Sequence, residues 1–206
     1  MQKPGGTNFM KYLAISQRVQ VLPDIKERRD ALSQEWSSFA VRCGFLPILL
    51  PNCLEAAKMI LSGLPIAGIL LTGGNDLASY GGDAPERDEV EHFLVTYAIT
   101  QQIPILGVCR GMQLLLDHFG MPLERVENHV RIEHSLNNGD TVNSYHSFGV
   151  KQCSSPLKAL YWSDDGVVES VIHEDFPWVR GIMWHPERYH PFRERDIAMI
   201  KEMFQL

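Results

Sequence analysis

At 206 residues the chain can enclose one sizeable hydrophobic core but is short for two. With 45% hydrophobic and 21% charged residues it has the make-up of an ordinary soluble globular protein, and a formal net charge of −6 removes any general pull toward nucleic acid or an anionic membrane. No apolar run approaches the roughly 18 residues that a membrane-spanning helix needs.

The first nine residues, MQKPGGTNF, are polar and lack the apolar core of a signal peptide, so residues 1–9 are expected to form a disordered leader ahead of one domain over 10–206. Four cysteines, Cys43, Cys53, Cys109 and Cys153, show no CxxC or metal-finger spacing and are expected to be free thiols in a reducing cytoplasm. "KYLAIS" reads as a first strand, followed by a polar stretch from Gln17 to Glu27. Asp30 to Cys43 reads as a helix, with Ala31, Leu32, Trp36, Phe39 and Ala40 at helical spacing and Gly44 as its stop. "FLPILL" is a second strand, placed at an edge or end by Pro47, and "LEAAKMILSG" a short helix. "IAGILLT" is a continuous apolar run of the kind found in central parallel strands covered on both faces, and Gly73-Gly74-Asn75-Asp76 breaks it. A helix over Glu86 to Gln102, a buried strand "IPILGVC" and a helix from Arg110 to Phe119 follow.

From Val126 the texture is that of short strands, "HVRIEHSL", "TVNSYHSFGV", "ALYWS", "VVESVIH" and "VRGIMWH". Turns at Asn137-Asn138-Gly139 and Asp164-Asp165-Gly166 lie between them, and Phe192 to Phe204 is a closing helix. The strand–helix alternation predicts an α/β fold, a doubly wound, mostly parallel sheet flanked by helices, with a β-rich second half that completes the sheet.

Within that frame Gly107-Val108-Cys109-Arg110-Gly111 has the pattern of a nucleophile elbow, in which a tight strand-to-helix turn exposes the central side chain at the carboxyl edge of the sheet. A helix that starts behind a cysteine stabilises its thiolate, and the N–H of Arg110 is placed to bind a developing oxyanion. The competing reading is a buried cysteine whose glycines only allow close packing. A cysteine nucleophile needs a base and the base an orienting partner. "GIMWHPE" supplies both: a strand delivers His185, Pro186 fixes the turn, and Glu187 can lie beside the imidazole. A metal bound by His185, Glu187 and His190 matches no familiar spacing, and thiolate acyl chemistry needs neither a metal nor an organic cofactor, so none is expected. The glycines after the central strand permit close backbone approach, which makes the N–H near Gly74 a second oxyanion donor or, more simply, part of a tight turn.

Together "LTGGNDL", "RDEVE", "ILGVCRGMQLL", "VNSYHS" and "GIMWHPE" resemble, in order, the class I glutamine amidotransferase-like hydrolases, and more narrowly the γ-glutamyl-γ-aminobutyrate hydrolase group, peptidase family C26. The resemblance implies a flavodoxin-like sheet, a Cys109–His185–Glu187 triad, an oxyanion hole from the N–H groups of Gly74 and Arg110, and a glutamyl thioester intermediate. Gly73, Asn75, Gln113, Tyr145, His146 and Ser147 would line the pocket for a small-molecule γ-glutamyl substrate, although "YHS" stands where many of the group carry a second histidine. "ISQRV", "ERRDALSQEW" and "GGNDL" resemble a subgroup that hydrolyses γ-glutamyl-CDP-amidate, an activity that frees cytidine diphosphoramidate for modifying surface polysaccharides. Arg18, just past the first strand, and Arg28 and Arg29 suit a pyrophosphate, or Arg28 and Arg29 are the solvated start of a helix. Alternatives are hydrolysis of other γ-glutamyl amines, a glutaminase subunit that passes ammonia to a synthetase partner, and a non-catalytic binding module. A homo-oligomer is compatible with all of them.

Overall fold

The computed structural model describes residues 11–204; the expected leader at 1–9 lies outside the described residues. Five strands run parallel: β1 (Lys11–Ser16), β4 (Phe45–Leu50), β5 (Ile66–Leu71), β6 (Ile105–Val108) and β13 (Val179–Ile182). Antiparallel β11 (Leu157–Trp162) and β12 (Val168–His173) extend the sheet, giving the order β11-β12-β13-β6-β5-β1-β4. The parallel part has the flavodoxin-like order, in which the chain steps from β1 to β4 and returns to β5 on the other side of β1. Ligands of such sheets bind beyond the carboxyl ends of the strands, at this reversal.

Alternation along the central strands sends successive side chains to two cores. Ala14, Ile69, Leu71 and Ile105 pack under α2 (Leu54–Gly63), α3 (Pro85–Gln101) and α4 (Arg110–His118). Leu13, Ile15, Leu70, Leu106 and Val108 pack under α1 (Gln34–Arg42) and α5 (Glu194–Phe204). Burial on both faces is why these strands read as unbroken apolar runs, and each fully buried Leu or Ile contributes about 1.5–3 kcal/mol. Among the described residues no helix is long and apolar enough to cross a membrane.

Two expectations need correction. The polar stretch after β1 and the expected start of the first helix instead form a hairpin, β2 (Arg18–Leu22) and β3 (Glu27–Ala31), and the helix begins only at Gln34 after Ser33. The side chain of Asn75 imposes this by bonding the backbone of β2: Val19 N–H donates to its Oδ1 at 2.8 Å and its amide donates to Val19 O at 2.9 Å. The β-rich second half only partly joins the sheet. Besides β11 to β13 it makes a separate ribbon, β8 (Val130–Ser135) with β9 (Thr141–Tyr145), and a short pair, β7 (Glu124–Arg125) with β10 (Phe148–Gly149).

Candidate active site

Cys109 stands at the corner between β6 and α4 with φ 52° and ψ −108°, a conformation costly for any side chain, on the order of 1–3 kcal/mol. Its N–H donates to Ile182 O at 2.8 Å, which ties the corner to the neighbouring strand. The flanking glycines are required by contact. A Cβ at Gly107 would strike the backbone at Gly111 and Met112, and one at Gly111 would strike the Leu71 carbonyl. The result is a thiol held at the carboxyl edge of the sheet, in front of a helix whose first N–H groups have no partner inside the helix.

His185 follows β13 and is 2% exposed, as is Glu187. Its Nδ1 lies 2.8 Å from Glu187 Oε1, so the N–H that donates there leaves Nε2 for Cys109. The backbone on both sides of the ring is clamped by Asn143 of β9, which accepts from His185 N–H at 2.8 Å and donates to His185 O at 2.9 Å. Tyr145 stands edge-on to the imidazole with centroids 5.5 Å apart. Burial works against a charged ring, but Cys109, by charge and hydrogen bond, and Glu187, likewise, outweigh it and raise the His185 pKa to about 9. Gly73 borders the pair: a Cβ there would lie 2.7 Å from His185 Cε1 and 3.6 Å from Cys109 Cβ.

The loop Gly73–Asn75 is held from behind by Arg87, which is fully buried. Its guanidinium donates to Thr72 O at 2.6 Å, to Gly73 O at 3.2 Å and to Gly74 O, and its Nε donates to Glu91 Oε1 at 2.9 Å. The Arg110 side chain in turn pairs with Glu91 and Asp88. Gly74 stands at φ 85°, and among the described residues its N–H has no backbone acceptor. Arg87 and Glu91 fall within "RDEVE", but no role for them was legible in the sequence; their four-residue spacing is the only local signal.

Two cavities open on either side of this centre. One of about 250 Å³ is lined by Gly74, Asn75, Asp76, Cys109, Arg110, Gln113, Tyr145, His146 and Ser147, so the structure brings together most of the expected glutamyl-pocket residues. Gln113 is fixed by donating to Phe148 O at 2.9 Å. Two members serve differently from the expectation. The Asn75 side chain is engaged with β2, and both ring nitrogens of His146 meet protein atoms, Phe148 O at 3.1 Å and Glu169 Oε1 at 3.2 Å. The other cavity, about 390 Å³, holds Arg18, Gln20, Ser33, Trp36 and Arg188 together with Gly73, Gly74, His185 and Glu187. Arg18 is therefore at the site. Arg28 sits outside that lining, pointing to Glu86 and Asp83, and Arg29 pairs with Glu27 at 2.5 Å; both lie on β3 rather than at a helix start. His190 is exposed and lies 3.8 Å from Glu35. All four cysteines are free.

The sequence profile described as glutamine amidotransferase class-I matches residues 66–204. A γ-glutamyl-CDP-amidate hydrolase of Campylobacter jejuni is 28% identical, over 95% of this chain and 98% of that protein. A γ-glutamyl-γ-aminobutyrate hydrolase of Escherichia coli is 29% identical over 84% of each. Among solved structures, a GMP synthase subunit from Thermoplasma acidophilum, titled as putative, superposes with a TM-score of 0.73 over 97% of this chain and 94% of that one, at 14% identity, which speaks to the fold alone.

Proposed function

We propose that this chain, which belongs to the class-I glutamine amidotransferase family, is a cysteine-dependent hydrolase of γ-glutamyl amides, and that its substrate is a γ-glutamyl-CDP-amidate. The observation that carries the reaction is a cysteine on a strained strand–helix corner facing a buried His185–Glu187 pair, where two cavities meet. Cys109 Sγ attacks the δ-carbonyl of the glutamyl group, and the oxyanion is met by the N–H groups of Gly74 and Arg110. His185, protonated at neutral pH, gives its Nε2 proton to the departing amide nitrogen as the C–N bond breaks, leaving a glutamyl thioester. The now neutral imidazole takes a proton from water, whose oxygen attacks the thioester. Collapse expels the Cys109 thiolate and releases glutamate. No metal or organic cofactor enters these steps.

The smaller cavity suits the glutamyl end. The larger one suits the leaving group, because Arg18 and Arg188 supply cationic forks for a pyrophosphate and Trp36 an aromatic face. The name of the full-length Campylobacter relative supports this choice. The product, cytidine diphosphoramidate, would serve surface polysaccharide modification. A thiolate mechanism with free cysteines fits a reducing cytoplasm.

The test is glutamate release from γ-glutamyl-CDP-amidate, γ-glutamyl-γ-aminobutyrate and glutamine, with Cys109→Ala alongside. Preference for the CDP-amidate and silence of the variant are expected. Preference for γ-glutamyl-γ-aminobutyrate would keep the chemistry and remove the nucleotide. Preference for glutamine would point to an ammonia-delivering subunit with a synthetase partner. Release by Cys109→Ala would refute the thioester route.

A further inference from the structure

Behind the glutamyl cavity, three histidines converge on one buried carboxylate. Glu169 of β12 is fully buried, and its Oε1 lies 3.2 Å from His146 Nε2, 3.4 Å from His129 Nδ1 and 3.4 Å from His134 Nε2. His129 Nδ1 and His146 Nε2 are 3.2 Å apart. We propose that His129, His146 and Glu169 bind one zinc ion, with water as the fourth donor, and that the ion pins the β8–β9 ribbon to the central sheet.

Three observations carry this. First, the spacing is right. Zinc bonds of about 2.0–2.1 Å to nitrogen and oxygen place neighbouring donors of a tetrahedron roughly 3.3 Å apart, and the three donor contacts among His129, His146 and Glu169 are 3.2, 3.2 and 3.4 Å. Second, the outer contacts fix the tautomers. His129 Nε2 lies 3.0 Å from Asp165 Oδ2 and His146 Nδ1 lies 3.1 Å from Phe148 O, so each ring has an acceptor for the N–H on its far side. With neutral rings, this turns two imidazole lone pairs and a carboxylate oxygen toward one point, an arrangement of acceptors without a donor. A cation answers it, and a carboxylate or carbonyl behind a ligating histidine is the usual support for one. Third, among the described residues Glu169 Oε2 is buried without a hydrogen-bond partner. Buried polar groups are ordinarily satisfied, and a cation on this carboxylate would offset its charge.

The donor set selects the ion. Imidazoles with one carboxylate suit zinc among common divalent ions, whereas magnesium and calcium call for all-oxygen sites. The three donors are buried and join the ribbon to the sheet, which suits a structural role. Its effect would reach the pocket through β9, because Asn143 clamps the His185 backbone and Tyr145 and Ser147 line the glutamyl cavity. The competing state is a proton: an imidazolium among the three rings, bonded to Glu169, would hold the same cluster without metal. Loading zinc would release that proton.

The experiment uses the full chain in a Cys109→Ala background, so that the thiol beside His185 cannot act as a ligand. The purified protein is dialysed against zinc alone, and metal content is read by plasma emission. The expected result is one zinc per chain and a melting temperature that falls on chelation and returns with zinc. Glu169→Gln and His129→Gln should weaken binding at least about 100-fold. His118→Gln, at the other close histidine pair, should leave it unchanged. Cobalt should give the intense visible absorption of a four-coordinate site, a reading that needs no cluster variant to fold. Failure to take up stoichiometric zinc, a six-coordinate cobalt spectrum, or loss of zinc in His118→Gln instead would overturn the proposal. Activity of the wild-type chain without zinc would leave the hydrolase assignment standing on its own.

Discussion

Replacing Glu187 by Gln separates orientation from electrostatics at the base. The amide oxygen can still accept from His185 Nδ1 at the present 2.8 Å, but the negative charge is gone. The His185 pKa of about 9 against an ordinary 6.5 amounts to roughly 3 kcal/mol in favour of the imidazolium. That net value already includes the opposing effect of burial, so Cys109 and Glu187 together contribute more. If Glu187 supplies about half, its removal withdraws on the order of 2 kcal/mol and brings the imidazolium's loss of its proton down by somewhat more than one pH unit. The sign follows from the competent state, the thiolate–imidazolium pair. A raised histidine pKa keeps that pair intact as pH climbs, and losing the anion makes it fail at lower pH. The alkaline limb of the profile of kcat/KM against pH should therefore retreat from about 9, with apparent values belonging to the pair. At pH 7 the ring stays mostly protonated and still donates to the amide oxygen, so the loss there should stay below about ten-fold. Glu187 Oε2 has no partner, so the new NH₂ group costs stability as well, about 1–3 kcal/mol, and a thermal melt must accompany the kinetics. An alkaline limb that stays in place while the plateau drops would refute the electrostatic part of this reasoning.

Gly73→Ala puts a Cβ 2.7 Å from His185 Cε1, and because Glu187 and Asn143 hold that residue in place, displacement of the ring should lower kcat about 100-fold while barely changing the melting temperature. Normal turnover in this variant would mean that the ring yields freely. Arg18→Ala should raise KM for γ-glutamyl-CDP-amidate roughly ten- to a hundred-fold and leave γ-glutamyl-γ-aminobutyrate unaffected, since only the former offers phosphate. Equal effects on both substrates would remove Arg18 from a leaving-group role. Arg87→Met strips the carbonyls of Thr72, Gly73 and Gly74 of their donor and should destabilise the fold by about 3–5 kcal/mol in a denaturant titration. A loss under about 1 kcal/mol would show that the loop holds itself.

Local chemistry made the central fold and the juxtaposition of Cys109, His185 and Glu187 legible. Ile66–Leu71 and Ile105–Val108 are apolar on both faces because both faces are covered, and a strand followed directly by glycine, cysteine, glycine and a helical pattern has few other foldings. His185 and Glu187 are two residues apart, so one turn suffices to join them. The hairpin over Arg18–Ala31 was illegible because Val19 is the only buried residue of its two strands, which leaves no alternating apolar face to read; its pairing is fixed by Asn75, more than fifty residues away in sequence. Arg87 and Glu91 carry no signal beyond their four-residue spacing, because only the approach of the Gly73 loop and Arg110 buries them. The cluster of His129, His134, His146 and Glu169 has no motif spacing, since a ribbon and the sheet must meet before its members do.

The two halves of the site rest on different supports, and this makes their contributions separable. The Gly74 and Arg110 side depends on α3, through Arg87, Glu91 and Asp88. The base depends on β13, on Glu187 and on Asn143 of the β8–β9 ribbon. Weakening the first support should therefore slow formation of the thioester, where charge develops on the carbonyl oxygen, without moving the pH limbs. Weakening the ribbon should disturb His185 and move them. A sheet edge brings both sets of groups to one place because β5, β6 and β13 all end there, and each set is held by different side chains.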